Sequence, residues 1–141
     1  MKLIVKTYDE LTKKELYEII KARLQIFVEE QKCLYQDLDG LDYKAYHFFF
    51  MDKHVYAYLR AYEKGSNIHL GRVLTIEHNK GYGKELMLDS INYIKNMGKY
   101  KKVVLNAQEY AIPFYEKFGF KVVSGTFYEV EIPHKTMELE I

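Results

Sequence analysis

Ten residues, NKGYGKELML (Asn79 to Leu88), constrain this chain more than any other stretch. They follow a β-like run, HLGRVLTI (His69 to Ile76), and open a segment with helical periodicity, so two glycines sit where a strand turns into a helix. A helix start leaves its first backbone N–H groups without intrahelical partners, and the aligned peptide dipoles place partial positive charge there. Phosphate is the natural guest of such a terminus. Gly81 and Gly83 remove β-carbons from the line of approach, and Lys80 and Lys84 add formal charge on either side. Two nucleotide motifs are excluded: the dinucleotide fingerprint needs a third glycine where Leu86 stands, and a P-loop needs four residues between its glycines. On the residues alone, the glycines equally suit a tight turn with no ligand.

Composition sets the frame for that site. A chain of 141 residues is one domain, residues 1–141, with a single core. With 21 Lys and Arg against 20 Asp and Glu, no global field points to nucleic acid or to an anionic membrane. No apolar run reaches the roughly 18 residues of a membrane-spanning helix, and MKLIVKTYDE lacks the apolar core of a signal peptide. The single Cys33 forms no internal disulfide, which fits a reducing, cytoplasmic setting.

The patterning predicts a mixed α/β (α+β) domain. Lys2 to Tyr8 alternates like a half-buried strand. Thr12 and Glu15 form a capping box, and apolar residues from Leu16 to Val28 recur at helical spacing, giving a helix from Lys13 to Glu30. QKCLYQDLDGLDYKAY reads as a long loop, of the kind that carries function. Tyr46 to Met51 and His54 to Tyr62 form a hairpin, and Lys64 to Asn67 turns the chain into the strand before the glycines. A helix ending near Met97-Gly98, a strand from Lys102 to Asn106 and a short helix from Ala111 to Phe118 follow. The remainder reads as a bent strand, a loop around Pro133 and a final strand from His134, giving the order β-α-β-β-β-α-β-α-β-β.

The strand–KGYGKELM–helix unit, KVVLNAQ about twenty residues on, and AIPFYEKFGFK together resemble the acetyl-CoA-binding core of the GNAT N-acetyltransferases. ARLQIFVEEQKCLYQDLDGLD, GRV and EIPHKTM are similar to the ElaA-type branch of that family, so the resemblance spans most of the chain. It implies a mixed sheet flanked by helices and splayed between its fourth and fifth strands, with acetyl-CoA as co-substrate. On this resemblance Val73, Leu74 and Thr75 supply backbone groups to the pantetheine and the thioester. His78, Asn79, Lys80, Gly81, Tyr82, Gly83 and Lys84 form the pyrophosphate loop, and Asn106 bonds the pantetheine arm. Tyr115 faces the sulfur and protonates the leaving thiolate. The chain departs from the pattern at His78, where the family has Arg or Gln, and its turn is about two residues shorter than in ElaA-type relatives.

The implied activity is direct transfer of acetyl to a primary amine of a small molecule or peptide. The alternative is a non-catalytic acyl-CoA-binding or protein-interaction module. Glu30 is the first candidate for the base, followed by His47, with Arg72 and His134 more remote. Asp37, Asp39 and Asp42 are candidates to attract a cationic amine, although an Asp-x-Asp-Gly run is also an ordinary turn. No EF-hand spacing is present, so no metal is expected. Cys33 has no evident activating partner, and a C-terminal edge strand is a candidate for homodimer pairing.

Overall fold

A computed structural model describes residues 1–33 and 36–141. Leu34 and Tyr35, within the expected long loop, lie outside the described residues. The chain opens with strand β1 (Ile4–Thr7) and helix α1 (Lys13–Arg23). The capping box of α1 is formed: Glu15 N–H donates to Thr12 Oγ1 at 3.1 Å, and Thr12 N–H donates to Glu15 Oε1 at 2.8 Å. The expected helix to Glu30 does not continue as α-helix. From Leu24 to Glu30 it widens into a π-type turn, with Gln31 N–H bonded to the Ile26 carbonyl and Cys33 N–H to that of Phe27. Hydrophobic spacing is blind to this widening, because Ile26 and Phe27 stay buried through it.

Strands β2 (Tyr46–Met51), β3 (Val55–Lys64) and β4 (Asn67–Thr75) form an antiparallel meander. Helix α2 (Tyr82–Met97), strand β5 (Lys102–Gln108) and helix α3 (Ile112–Glu116) follow. The chain closes with β6 (Lys121–Val122), β7 (Phe127–Glu129) and β8 (Ile132–Glu140). The sheet order is β1-β2-β3-β4-β5-β8-β6, with β7 also paired to β8. One sequence expectation changes here. Pro133 lies inside β8, opposite Tyr128 of β7 and beyond the last β5 pair at His134, where its missing N–H breaks no central ladder. The sheet edge near the C-terminus is made by the short β6 and β7, which pair along the side of β8 that faces away from β5.

Each face of the sheet buries its own cluster. Phe48, Leu59, Ile68 and Leu105 pack under α2 with Leu86, Met87 and Ile94. Phe49, Tyr58 and Leu74 pack under α1 with Ile19, Ala22 and Ile26. Two irregularities in β4 position the site. First, β4 pairs in parallel with β5 only from Asn67↔Lys102 to Leu70↔Leu105, after which the strands part. Second, the pairing of β4 with β3 jumps from Tyr58↔Leu74 to Arg60↔Gly71, so β4 carries one extra residue, a bulge. Arg72 sits in it with φ 52°, in the left-handed region. The bulge reverses strand parity, so Val73 joins the α2-side cluster and Leu74 the α1-side cluster. Among the described residues no helix is long and apolar enough to cross a membrane.

Candidate active site

Where β4 and β5 part, a cavity of about 430 Å³ opens between Gly71–Val73 and Asn106–Gln108. Its walls combine the end of the π-type turn (Gln31, Cys33), α3 (Tyr115) and the β7–β8 hairpin (Glu129, His134). Past Leu70 the strand has lost its β5 partner, and at the bulge its register with β3 is broken. Beyond Leu70, β4 therefore runs along the cavity without β5 beside it, with Gly71, Arg72 and Val73 in the lining. Leu74 is buried under α1 and Thr75 packs toward Gly83, so Val73 is the member of this trio that lines the cavity.

The glycine turn takes the form its residues imply. Gly81, with φ 79°, starts α2, and Glu85 N–H reaches back to its carbonyl at 3.1 Å. A β-carbon on Gly83 would lie 3.3 Å from Thr75 Cγ2 and 3.7 Å from Phe114 Cζ, so α2 starts where only hydrogen fits comfortably. Tyr82 packs its ring against Tyr56 at 5.5 Å between centroids, and Asn79, Lys80 and Lys84 are exposed around the turn. The first N–H groups of α2 and the exposed Lys80 and Lys84 thus share one turn after β4, outside the lining of the cavity itself.

Tyr115 reaches the cavity from the α2 side, in edge contact with Phe114 and Phe120. Burial pushes its phenol up, so it holds its proton at neutral pH. Asn106 alternates with Leu105 and Ala107 of the α2-side core, so its side chain takes the opposite face. There its Oδ1 accepts from Thr136 Oγ1 at 2.9 Å and its Nδ2 donates to Glu129 Oε1 at 3.2 Å.

Glu30 and His47 are placed differently from the expectation that either serves as base. Glu30 does not line the cavity; its carboxylate lies 2.7 Å from His78 Nε2, on an exposed bridge between the end of the first helical segment and the turn before α2. His47 is buried, with Nε2–H donating to the Asp42 carbonyl at 3.0 Å and Nδ1 accepting from the Tyr58 hydroxyl at 2.7 Å. Burial lowers its pKa, and neither ring nitrogen faces the cleft.

The three aspartates are likewise committed. Arg23, 1% exposed, donates from Nε to Asp37 Oδ2 at 2.8 Å and from Nη1 to Asp42 Oδ1 at 2.7 Å. Arg60 grips Asp39 through both terminal nitrogens, at 2.8 and 2.5 Å, and meets Asp42 at 3.1 Å. Arg72 contacts Asp37 at 2.9 Å and Asp39 at 3.4 Å. Three guanidiniums thus cancel three carboxylates, and no anionic funnel remains at Asp37, Asp39 and Asp42. Although desolvation opposes ionisation, the Arg60 hydrogen bond holds Asp39 down at about 2. Cys33 is buried at the cavity wall, and burial pushes its thiol up, away from nucleophilic use. Gln31, Gln108 and Glu129 line the cavity without having been singled out in the sequence; Gln108 Nε2 bonds Gln31 Oε1 across the cleft at 3.2 Å.

This geometry agrees with the comparisons to known proteins. A family model described as acetyltransferase (GNAT) domain matches residues 7–141. A UPF0039 protein of Schizosaccharomyces pombe is 37% identical over 147 residues, covering 100% of this chain and 98% of that one. ElaA of Escherichia coli is 31% identical over 142 residues, and its crystal structure superposes with a TM-score of 0.92 over 99% of this chain and 100% of that one. The crystal structure of an acyl-CoA N-acyltransferase from Pseudomonas aeruginosa is 31% identical, with a TM-score of 0.91 over 98% and 99% of the two chains.

Proposed function

The chain belongs to the acetyltransferase (GNAT) family, in its ElaA-type branch, and we propose that it transfers the acetyl group of acetyl-CoA directly to a primary amine of a small molecule or peptide. The parting of β4 from β5 carries this reading: the stretch of β4 that has left β5 and a protonated tyrosine border one cleft, and the glycine turn that starts α2 follows the end of β4. The pyrophosphate is held by backbone N–H groups from Asn79 to Lys84, with Lys80 and Lys84 adding charge and His78 at the edge of the turn. The pantetheine amides pair with β4 at Val73, Leu74 and Thr75, as a further strand would, and Asn106 lies across the gap.

As the neutral amine attacks the thioester carbonyl, negative charge grows on its oxygen. A β4 backbone N–H near Val73, where the strand has left β5, is the donor for that charge. The C–S bond breaks and the thiolate takes the phenolic proton of Tyr115, which its apolar surroundings have kept in place. Thermal shift with acetyl-CoA, with adenosine diphosphate as control, tests the cofactor half of the reading. At about a hundred times the dissociation constant, binding adds roughly 2.7 kcal/mol, or on the order of 5 to 10 °C for a domain this size. Release of free coenzyme A thiol across a panel of amines tests the transfer half. No shift at millimolar acetyl-CoA would leave a non-catalytic interaction module on the same fold.

A further inference from the structure

We propose that His134 is the base that takes the proton of the incoming amine, with Glu129 as the anion that first holds the ammonium and then the imidazolium. The proposal rests on the acyl-transfer reading above. His134 Nδ1 lies 2.7 Å from the Ile132 carbonyl oxygen, which only accepts, so Nδ1 carries hydrogen. In the neutral ring the lone pair is then on Nε2, the nitrogen that stands 3.7 Å from Glu129 Oε2. Both residues line the cavity. The ring is stacked on Phe127 and its side chain is 9% exposed, so its orientation is fixed before any acceptor arrives.

Glu129 is fixed as well. Thr136 Oγ1–H donates to Asn106 Oδ1, which orients the amide so that Nδ2 points to Glu129 Oε1. Among the described residues Glu129 is the one carboxylate lining the cavity, and the guanidiniums of Arg60 and Arg72 are directed to Asp37, Asp39 and Asp42 instead. An ammonium entering the cleft therefore finds its counter-charge at Glu129. The other charges nearest His134 along the chain are Lys135, which pairs with Glu109 at 3.8 Å, while Gln108 stands opposite on β5. The turn that presents Glu129 is strained: Val130 and Glu131 have φ 49° and 63°, and a β-branched residue in that region is rare outside functional sites.

The two proton-transfer groups also stand on opposite faces. Tyr115 belongs to the α2-side core, whereas His134 lies opposite Gln108 on the face that Asn106 shares. The ammonium gives one proton to His134 Nε2, and the nitrogen lone pair forms the C–N bond. The C–S pair leaves with sulfur, which takes the Tyr115 proton, and a second nitrogen proton departs to solvent as the amide forms. The imidazolium of His134 then gives its proton to solvent and Tyr115 takes one back, which leaves one net proton released per ammonium acetylated.

His134→Asn keeps a donor toward the Ile132 carbonyl and removes the base. It is expected to lower kcat by about 100- to 10,000-fold, to abolish the acid limb of the kcat/KM profile and to leave acetyl-CoA affinity unchanged. Glu129→Gln should raise KM for the amine. Imidazole 15N spectra of the parent protein test the premise without turnover: an Nδ1–H tautomer for His134 supports the proposal, and an Nε2–H tautomer overturns it. Unchanged kcat and an intact acid limb in His134→Asn would overturn this assignment and leave acyl transfer standing. A parent protein that binds no acetyl-CoA and acetylates no amine overturns both.

Discussion

Arg23→Met removes the centre of the buried charge cluster while keeping an unbranched apolar stem. The lost guanidinium makes three bonds, to Asp37 Oδ2 at 2.8 Å, to the Asp37 carbonyl at 3.0 Å and to Asp42 Oδ1 at 2.7 Å. Breaking a buried pair from one side costs roughly 3 to 5 kcal/mol. The lower end applies, because Asp37 keeps Arg72 at 2.9 Å and Asp42 keeps Arg60 at 3.1 Å. A domain of this length unfolds with an entropy of about 0.3 kcal/mol/K, so a loss of about 3 kcal/mol lowers Tm by roughly 10 °C. The pH dependence has a definite sign. Burial opposes ionisation of Asp42, but hydrogen bonds from Arg23 and Arg60 outweigh it and lower its pKa below 3.8. A carboxylate depressed in the folded state stabilises above its unfolded pKa and loses that contribution as pH falls through the folded value. In the variant, Asp42 takes up its proton at higher pH, so the deficit against the parent is largest at neutral pH and shrinks on acidification below about 5. Urea unfolding at pH 7 and pH 4 measures it. A deficit under about 1 kcal/mol at pH 7, or an equal deficit at both values, would refute this account of the cluster.

Tyr115→Phe should cut kcat by about 100-fold or more with acetyl-CoA affinity kept in calorimetry; an unchanged kcat removes the phenol from the mechanism. Gly81→Ala forces a β-carbon into φ 79°, so it should cost about 1 to 2 kcal/mol and weaken acetyl-CoA binding, read from denaturant midpoints and thermal shift. Val130→Asn with Glu131→Gly supplies the residues that a two-residue turn with both φ positive favours. It should raise stability by about 1 kcal/mol, and a lower urea midpoint would count against strain at this tip. His47→Gln should flatten the stability profile in mild acid. Burial lowers the folded pKa of His47, so the parent loses stability as pH falls through about 6.5, the unfolded value, toward the folded one; parallel profiles for the two proteins would contradict this.

Local chemistry made the first two-thirds of the chain readable. The Thr12–Glu15 box, the Asp52-Lys53 hairpin and the glycine turn each use bonds or torsions within a few residues, and each appears where the residues predict it. The β7–β8 hairpin was hidden because its turn, Val130-Glu131, carries neither Gly nor Asn, and because Pro133 reads as a strand breaker unless one knows that β5 has already ended. The aspartates were visible, but their meaning was not. Arg23, Arg60 and Arg72 lie 14 to 35 residues away in sequence and arrive only through tertiary packing. Reading Asp37, Asp39 and Asp42 as an amine trap fails for that reason, and the role passes to a carboxylate on a strand the periodicity did not register.

The strained residue of β4 and the loop that walls the acceptor side are held by the same contacts. Arg72 occupies a backbone region that costs a non-glycine residue roughly 1 to 2 kcal/mol, and it does so where β4 has lost β5 on one side and its register with β3 on the other. Its guanidinium is bound to Asp37 and Asp39, which Arg23 and Arg60 hold in turn. Ordering of that loop and geometry of the bulge therefore stand or fall together. A charged cluster that contributes little net attraction for a substrate can still hold the β4 backbone beside Val73, the stretch to which the proposed transfer assigns an N–H donor. The cost of desolvating three ion pairs is thereby tied to positioning rather than to substrate charge, and substrate charge is left to Glu129 across the cleft.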